Sequence, residues 1–177
     1  MTGESHRHSP ESPFWRFSLR FYGRPGVADA CLSLQDKAGA DVNLLLFLLF
    51  FAERKRQLDA AEIARLDAAV SQWRDSVVKP LRALRRDLKP GIEFIPGTVI
   101  ETFRAQIKRL ELESEQIEQH RLEEFAGNDA GSPADSRMDA AQSNVAAYCA
   151  MLANVPQEAV ATVLRSFADF HPIEPHF

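Results

Sequence analysis

CLSLQDKAGADVNLLLFLLFFA, residues 31–52, decides the fold. Its first part reads as the end of one helix, Gly39 as a break, and the remainder as a second helix that is almost entirely apolar. A bilayer is crossed by about twenty apolar residues, whereas about ten to fourteen is the length of a buried core helix. Glu53, Arg54, Lys55 and Arg56 end the run at once. The stretch therefore predicts a central helix over 42–53, packed by other helices on every side.

The polar residues of this stretch gather at the junction. Asp41 stands one position before the apolar helix, where a carboxylate accepts hydrogen bonds from the first unpaired N–H groups and meets the positive end of the helix dipole. Gly39 supplies the positive φ that ends the preceding helix. Asn43 enters the buried helix on its first turn, and a buried amide must find partners. It either bonds Gln35 or a loop backbone, or lines a small polar cavity. Gln35, Asp36, Asp41 and Asn43 are thus one candidate polar site, with Arg16 and Arg20 of the preceding helix as its cationic neighbours.

Toward the N-terminus, Ser12-Pro13 is a capping residue followed by proline at the first helical position. The helix it opens runs to Tyr22, with Arg16, Arg20 and Arg24 as a basic stripe. Pro25 opens the next helix, which buries Val27, Cys31, Leu34 and Ala38 and exposes Asp29, Ser33 and Asp36. Arginines on one helix and aspartates on the next suggest ion pairs across a hairpin.

Toward the C-terminus, Asp59 and Glu62 form a capping box for a long helix with an apolar stripe from Ile63 to Leu88. Pro80 should kink it or split it in two. Lys79, Arg82, Arg85, Arg86 and Lys89 crowd its last turns, a candidate basic surface for nucleic acid or an ordinary cationic helix end. Ile92, Phe94 and Ile95 are expected to tuck onto the core. Thr98 and Glu101 suggest a second capping box, followed by a core stripe of Ile100, Phe103, Ile107 and Leu110. Beyond it the helix turns acidic and reads as a solvated extension or an arm for a partner. Its charge also suits contact with the Arg82–Lys89 turns. A Gly/Ser/Asp/Pro stretch and two short helices complete the chain.

The segment Phe14–Phe51 contains F-W-x-F-S-L-x-x-Y, then G-V-x-x-A-C-L-x-L-Q-D, then G-x-D-V-N-L-L-L-F. These motifs resemble a small uncharacterised bacterial family that carries a domain-of-unknown-function label. WRDSVVKPLRALRRDLK and RLELESEQIEQH look like its weaker downstream blocks, so the resemblance covers about residues 13–125. It implies a helical bacterial protein, and no activity or catalytic residue.

The expectation is an all-α compact bundle of six or seven helices around the helix 42–53. Its organisation would be a disordered tail over 1–11, a bundle core over 12–126, a flexible linker over 127–137, a helical pair over 138–170 docked on the core, and a tail over 171–177. With 177 residues, 45% hydrophobic content and a net charge of −4, the chain has material for one core and no global pull toward nucleic acid or anionic lipid. No P-loop, glycine-rich dinucleotide motif, nucleophile elbow or zinc-protease motif is present. His6, His8, His171 and His176 have no metal-site spacing, and no catalytic residue, metal or cofactor is expected. Cys31 and Cys149 in apolar helical patterns suit reduced thiols and a cytoplasmic location.

Three functions fit. The first is protein–protein contact or regulation with possible homodimerisation, and no membrane insertion. The second is a small-molecule or lipid-like ligand, or an enzyme, with its site at Gln35–Asn43. The third is nucleic-acid or ribonucleoprotein association through residues 79–89.

Overall fold

A computed structural model describes residues 12–127 and 130–171. The expected N-terminal tail with His6 and His8, and His176, lie outside them. The described residues form an all-α bundle: α1 (Pro13–Tyr22), α2 (Val27–Ala38), α3 (Val42–Glu53), α4 (Ala60–Trp73), α5 (Lys79–Asp87), α6 (Gly97–Ala126), α7 (Arg137–Cys149) and α8 (Gln157–Ala168). A π-helical turn over Arg74–Val78 joins α4 to α5 without a break. Two-residue strands β1 (Arg56–Gln57) and β2 (Ser132–Pro133) pair antiparallel, with Arg56 opposite Pro133.

The centre is α3, as its apolar run predicts. Leu44 through Ala52 are all buried, enclosed by α1, α2, α6 and α7. α8 lies against α2. Phe14 meets Phe47 edge-on at 4.9 Å between ring centres, and Phe17 and Phe21 reach Phe170 beyond α8. The local signals act as read at four places. Ser12 caps α1 by accepting the Trp15 N–H, and Asp41 caps α3. Gly39 has φ +69°. Asp59 and Glu62 make both halves of their capping box. Gly131 is required for another reason: a Cβ there would stand 2.6 Å from the Gln57 carbonyl oxygen.

α4, the π turn and α5 run along α6. Pro80 lacks an N–H and its ring would strike the Ser76 carbonyl in a regular helix. The π turn, which contains Ser76, widens the backbone just upstream and lets the helix continue. The far end of this α5–α6 pair has a small core of its own, Leu88, Ile100 and Ile107, with Leu81 packed on it.

Several local expectations are corrected. α2 begins at Val27 after Gly26, not at Pro25. Thr98 makes no capping box, because α6 starts at Gly97 with Thr98 already inside its first turn. Ile92, Phe94 and Ile95 do not reach the core: they sit at the hairpin tip, and Phe94 is 94% exposed. Phe103 and Leu110 are about half exposed, since the inward face of α6 runs instead through Ile100, Ile107, Glu111, Ser114, Glu118 and Leu122. The acidic half of α6 is therefore not simply solvated: Glu111 and Glu118 on its inward face are buried, while Glu113 and Glu124 are exposed. Among the described residues the Arg16–Arg20–Arg24 stripe makes no ion pair with α2. Arg20 and Arg24 lie over the Phe170 ring, and Arg24 donates to Ser166.

Candidate functional site: a cavity between the hairpin and the bundle

Where α5 and α6 pass the α1–α2–α3 side of the bundle they leave a cavity of about 560 Å³. Its depth is set by buried Trp15, Ser18, Asn43, Leu46, Glu111 and Gln119, and its mouth by exposed Leu19, Leu32, Arg86, Lys108, Arg109 and Leu112. Helical spacing explains the composition. Trp15, Ser18, Leu19 and Tyr22 share one face of α1, and Ala105, Lys108, Arg109 and Leu112 share one face of α6.

The floor is a chain of amides. Ser18 Oγ donates to Gln119 Oε1 at 3.2 Å, Gln119 Nε2 donates to Asn43 Oδ1 at 2.9 Å, and Asn43 Nδ2 donates to Glu118 Oε2 at 2.9 Å. Behind it, Glu118 is 1% exposed. Burial first, then the adjacent Asp41 carboxylate, pushes the Glu118 carboxyl far above the ordinary range. This favours its protonated form, whose proton can meet Asp41 from the Oε1 that has no other partner among the described residues.

Asp41 joins three elements, α3, the π turn and α7. One carboxylate oxygen caps α3 through the Asn43 N–H at 2.8 Å and the Leu44 N–H at 3.3 Å. The other meets Arg74 Nη1 at 2.7 Å. The Asp41 N–H donates to Tyr148 Oη at 2.7 Å. Arg74 stands on the π turn and also binds Asp67 at 2.6 Å. Desolvation alone would weaken the Arg74 charge, but Asp41 and Asp67 more than reverse it and hold it protonated.

The walls are charged. Arg82 binds Glu111 at 3.1 Å and Glu115 at 2.7 Å, and Arg85 binds Glu111 at 2.5 Å. Burial pushes the Glu111 carboxyl up, yet Arg85 and Arg82 together outweigh it and keep it below the ordinary value. Burial dominates at Glu115, whose carboxyl is raised. Arg86 reaches from α5 to Asp36 of α2 at 3.0 Å, in a pair about half exposed on both sides.

Of the candidate polar site, the structure brings Gln35 and Asn43 to the cavity. Asp36 stands at its rim on Arg86, and Asp41 lies behind it in the buried network. Arg16 and Arg20 are exposed on the outer side of α1, away from the cavity. Of the basic surface, Arg82, Arg85 and Arg86 line this same cavity. Lys79 pairs with Asp75 at 2.7 Å, and Lys89 is exposed near the hairpin tip. Parts of two candidate sites, Gln35 and Asn43 of one and Arg82, Arg85 and Arg86 of the other, thus meet at one cavity. Sequence reading missed Trp15, Tyr22, Lys108, Arg109, Glu118 and Gln119. The available signal was the apolar stripe of α6 continuing through Glu111, Ser114 and Glu118 before Leu122. Burial pushes the Cys31 thiol up to about 12, which disfavours the thiolate a nucleophile requires.

A family model described as "Protein of unknown function (DUF2390)" matches residues 13–122. The chain belongs to this family. All residues lining the cavity fall within the DUF2390 segment, whereas α7 and α8 lie beyond it. No curated protein and no solved structure matches the chain.

Proposed function

We propose that this DUF2390 protein is a non-catalytic binding protein whose ligand is a small molecule held in the cavity between the α5–α6 hairpin and the bundle. The observation that carries the reading is the cavity itself. Its 560 Å³ falls within the roughly 300–1,000 Å³ typical of ligand sites, which are mostly apolar with a few convergent polar groups. Trp15, Leu19, Val42, Leu46 and Leu112 supply the apolar walls, while Tyr22, Gln35 and Asn43 supply polar atoms. Binding is favoured over catalysis because the acids facing the cavity are tied to arginines, leaving no side chain positioned as acid and base to another. Two unpaired thiols, Cys31 and Cys149, fit a reducing cytoplasm.

The test uses the environment-sensitive dye ANS. Saturable, single-site fluorescence enhancement is expected with the natively folded chain. Leu112→Trp, which fills the mouth from an exposed position, should abolish it without lowering the melting temperature. No enhancement, or enhancement unchanged by Leu112→Trp, would remove the reading.

A second reading, contact with another protein, is favoured by the hairpin tip. Phe94 holds φ +67°, costly for a bulky residue, while its ring stands in water. Ile92, Ile95, Val99 and Phe103 surround it in the chain and are all about half exposed. Mass measured against concentration tests self-association through this tip, and a monomer throughout, unchanged by Phe94→Asp, counts against it. Nucleic-acid binding draws less support, since Arg82 and Arg85 are engaged by Glu111 and Glu115 within the chain.

A further inference from the structure

The charge on the cavity is uneven in a way that points to one class of ligand. Five cationic side chains line it, Arg82, Arg85, Arg86, Lys108 and Arg109, against two acidic ones, Glu111 and Glu115. The chain as a whole has a net charge of −4, so this excess runs against the sign of the molecule. It is also sorted by depth. Arg82 and Arg85, the more buried, are neutralised by Glu111 and Glu115. Lys108 and Arg109, exposed at the mouth on α6, make no ion pair among the described residues, and Arg86 has only the exposed pair with Asp36. Such a pair contributes little to stability and is readily exchanged. The deeper wall is apolar at Trp15, Leu46 and Val42 and ends on the Asn43–Gln119 amides.

Building on the proposal that the cavity binds a small molecule, we infer that its ligand is an anionic amphiphile. An apolar body lies along Trp15, Leu46 and Leu112, and a carboxylate or phosphate head sits at the mouth among Arg86, Lys108 and Arg109. The head takes the place of Asp36 on Arg86, whose planar fork matches either anion in two parallel hydrogen bonds. Asp36 then acts as a competitor built into the rim: it holds Arg86 across the opening when the site is empty and yields it when an anion enters. The two unpaired cations of α6 supply the difference that makes this exchange favourable.

Four probes of equal chain length, used below their micellar concentrations, test the inference by calorimetry on the full chain: dodecanoate, dodecyl phosphate, dodecanol and dodecyltrimethylammonium. Either anion binding at least tenfold tighter than dodecanol, with the ammonium weakest, supports it. So does a tenfold or greater loss of anion affinity in the Arg86→Gln/Arg109→Gln double variant with dodecanol affinity unchanged. Asp36→Asn should tighten the anions several-fold and leave dodecanol alone, an effect that a merely structural Asp36 would not produce. These positions are exposed, so folding persists, and melting curves check it. Equal binding of all four probes, or anion affinity indifferent to the double variant, overturns the anionic class while leaving the cavity as a binding site. If no probe binds, or all bind Leu112→Trp as well as the native chain, the cavity reading fails too.

Discussion

At the scale of single residues, the least conventional group is Glu118, a carboxyl shut inside the bundle with an amide on one side and Asp41 on the other. Its proton stays on in the folded chain, but leaves in the unfolded chain above the ordinary carboxyl range. The unfolded state then binds fewer protons than the native state, so stability falls as pH rises from that range toward the raised native value, by up to about 1.4 kcal/mol per pH unit. Glu118→Gln keeps a donor for Asp41 and has no proton to lose. We expect it to match the native chain near pH 5, exceed its stability by roughly 1–3 kcal/mol near pH 8, and flatten the slope, all read from denaturation at several pH values. A steeper slope in the variant would contradict this assignment. Arg74 is the complementary case. Arg74→Met leaves Asp41 buried and unpaired, a situation that costs about 3–5 kcal/mol, whereas Lys79→Met at its exposed pair with Asp75 should change stability by less than about 1 kcal/mol. Asn144 shows what sequence cannot announce. It is fully buried, accepts the Leu58 N–H and donates to the Leu48 and Arg56 carbonyls, yet as one Asn in a polar stretch it carries no pattern.

At the scale of elements, legibility followed periodicity and local chemistry. The apolar run of α3, the caps at Ser12, Asp41 and Asp59 and the break at Gly39 depend on neighbours in the chain, and these were readable. α6 was readable only in part: its charge pointed to the Arg82–Lys89 turns, where Arg82 and Arg85 do meet it, but its inward face changes from apolar to acidic midway. Hydrophobic periodicity assigns such a stretch to solvent. The structure buries Glu111 and Glu118 because arginines on α5 and the Asn43 amide on α3 satisfy these carboxyl groups, and those partners are remote in sequence. The same reason kept the candidate site in two pieces. Gln35–Asn43 and Arg82–Arg86 meet only through the tertiary placement of α5. The tip of the hairpin failed in the opposite sense: Ile92, Phe94 and Ile95 are apolar and were assigned to a core that does not extend so far. Phe94→Gly should relieve its positive φ and leave the melting temperature unchanged or slightly higher. A fall of several degrees would show that the exposed ring is held by contacts within the chain.

At the scale of the whole molecule, two carboxyl environments pull the pH profile in opposite directions. Glu111 is held low by Arg85 and Arg82 against its burial, so its contribution is present above the ordinary carboxyl value and is lost as pH falls through its depressed native value. Glu118 acts in the reverse sense toward higher pH. The chain should therefore be most stable in the mildly acidic range, and a maximum well above neutrality would contradict the Glu118 assignment. The same architecture that buries these acids leaves a cavity beside them, formed where the α5–α6 hairpin spans the α1–α3 face and lined by residues the family segment contains in full. Native mass spectra of the intact chain, gently purified and then mixed with dodecanoate, test that cavity most directly. One bound molecule per chain, absent from Leu112→Trp, is the predicted result. A chain that stays unliganded, or a variant that carries the same added mass, would contradict it.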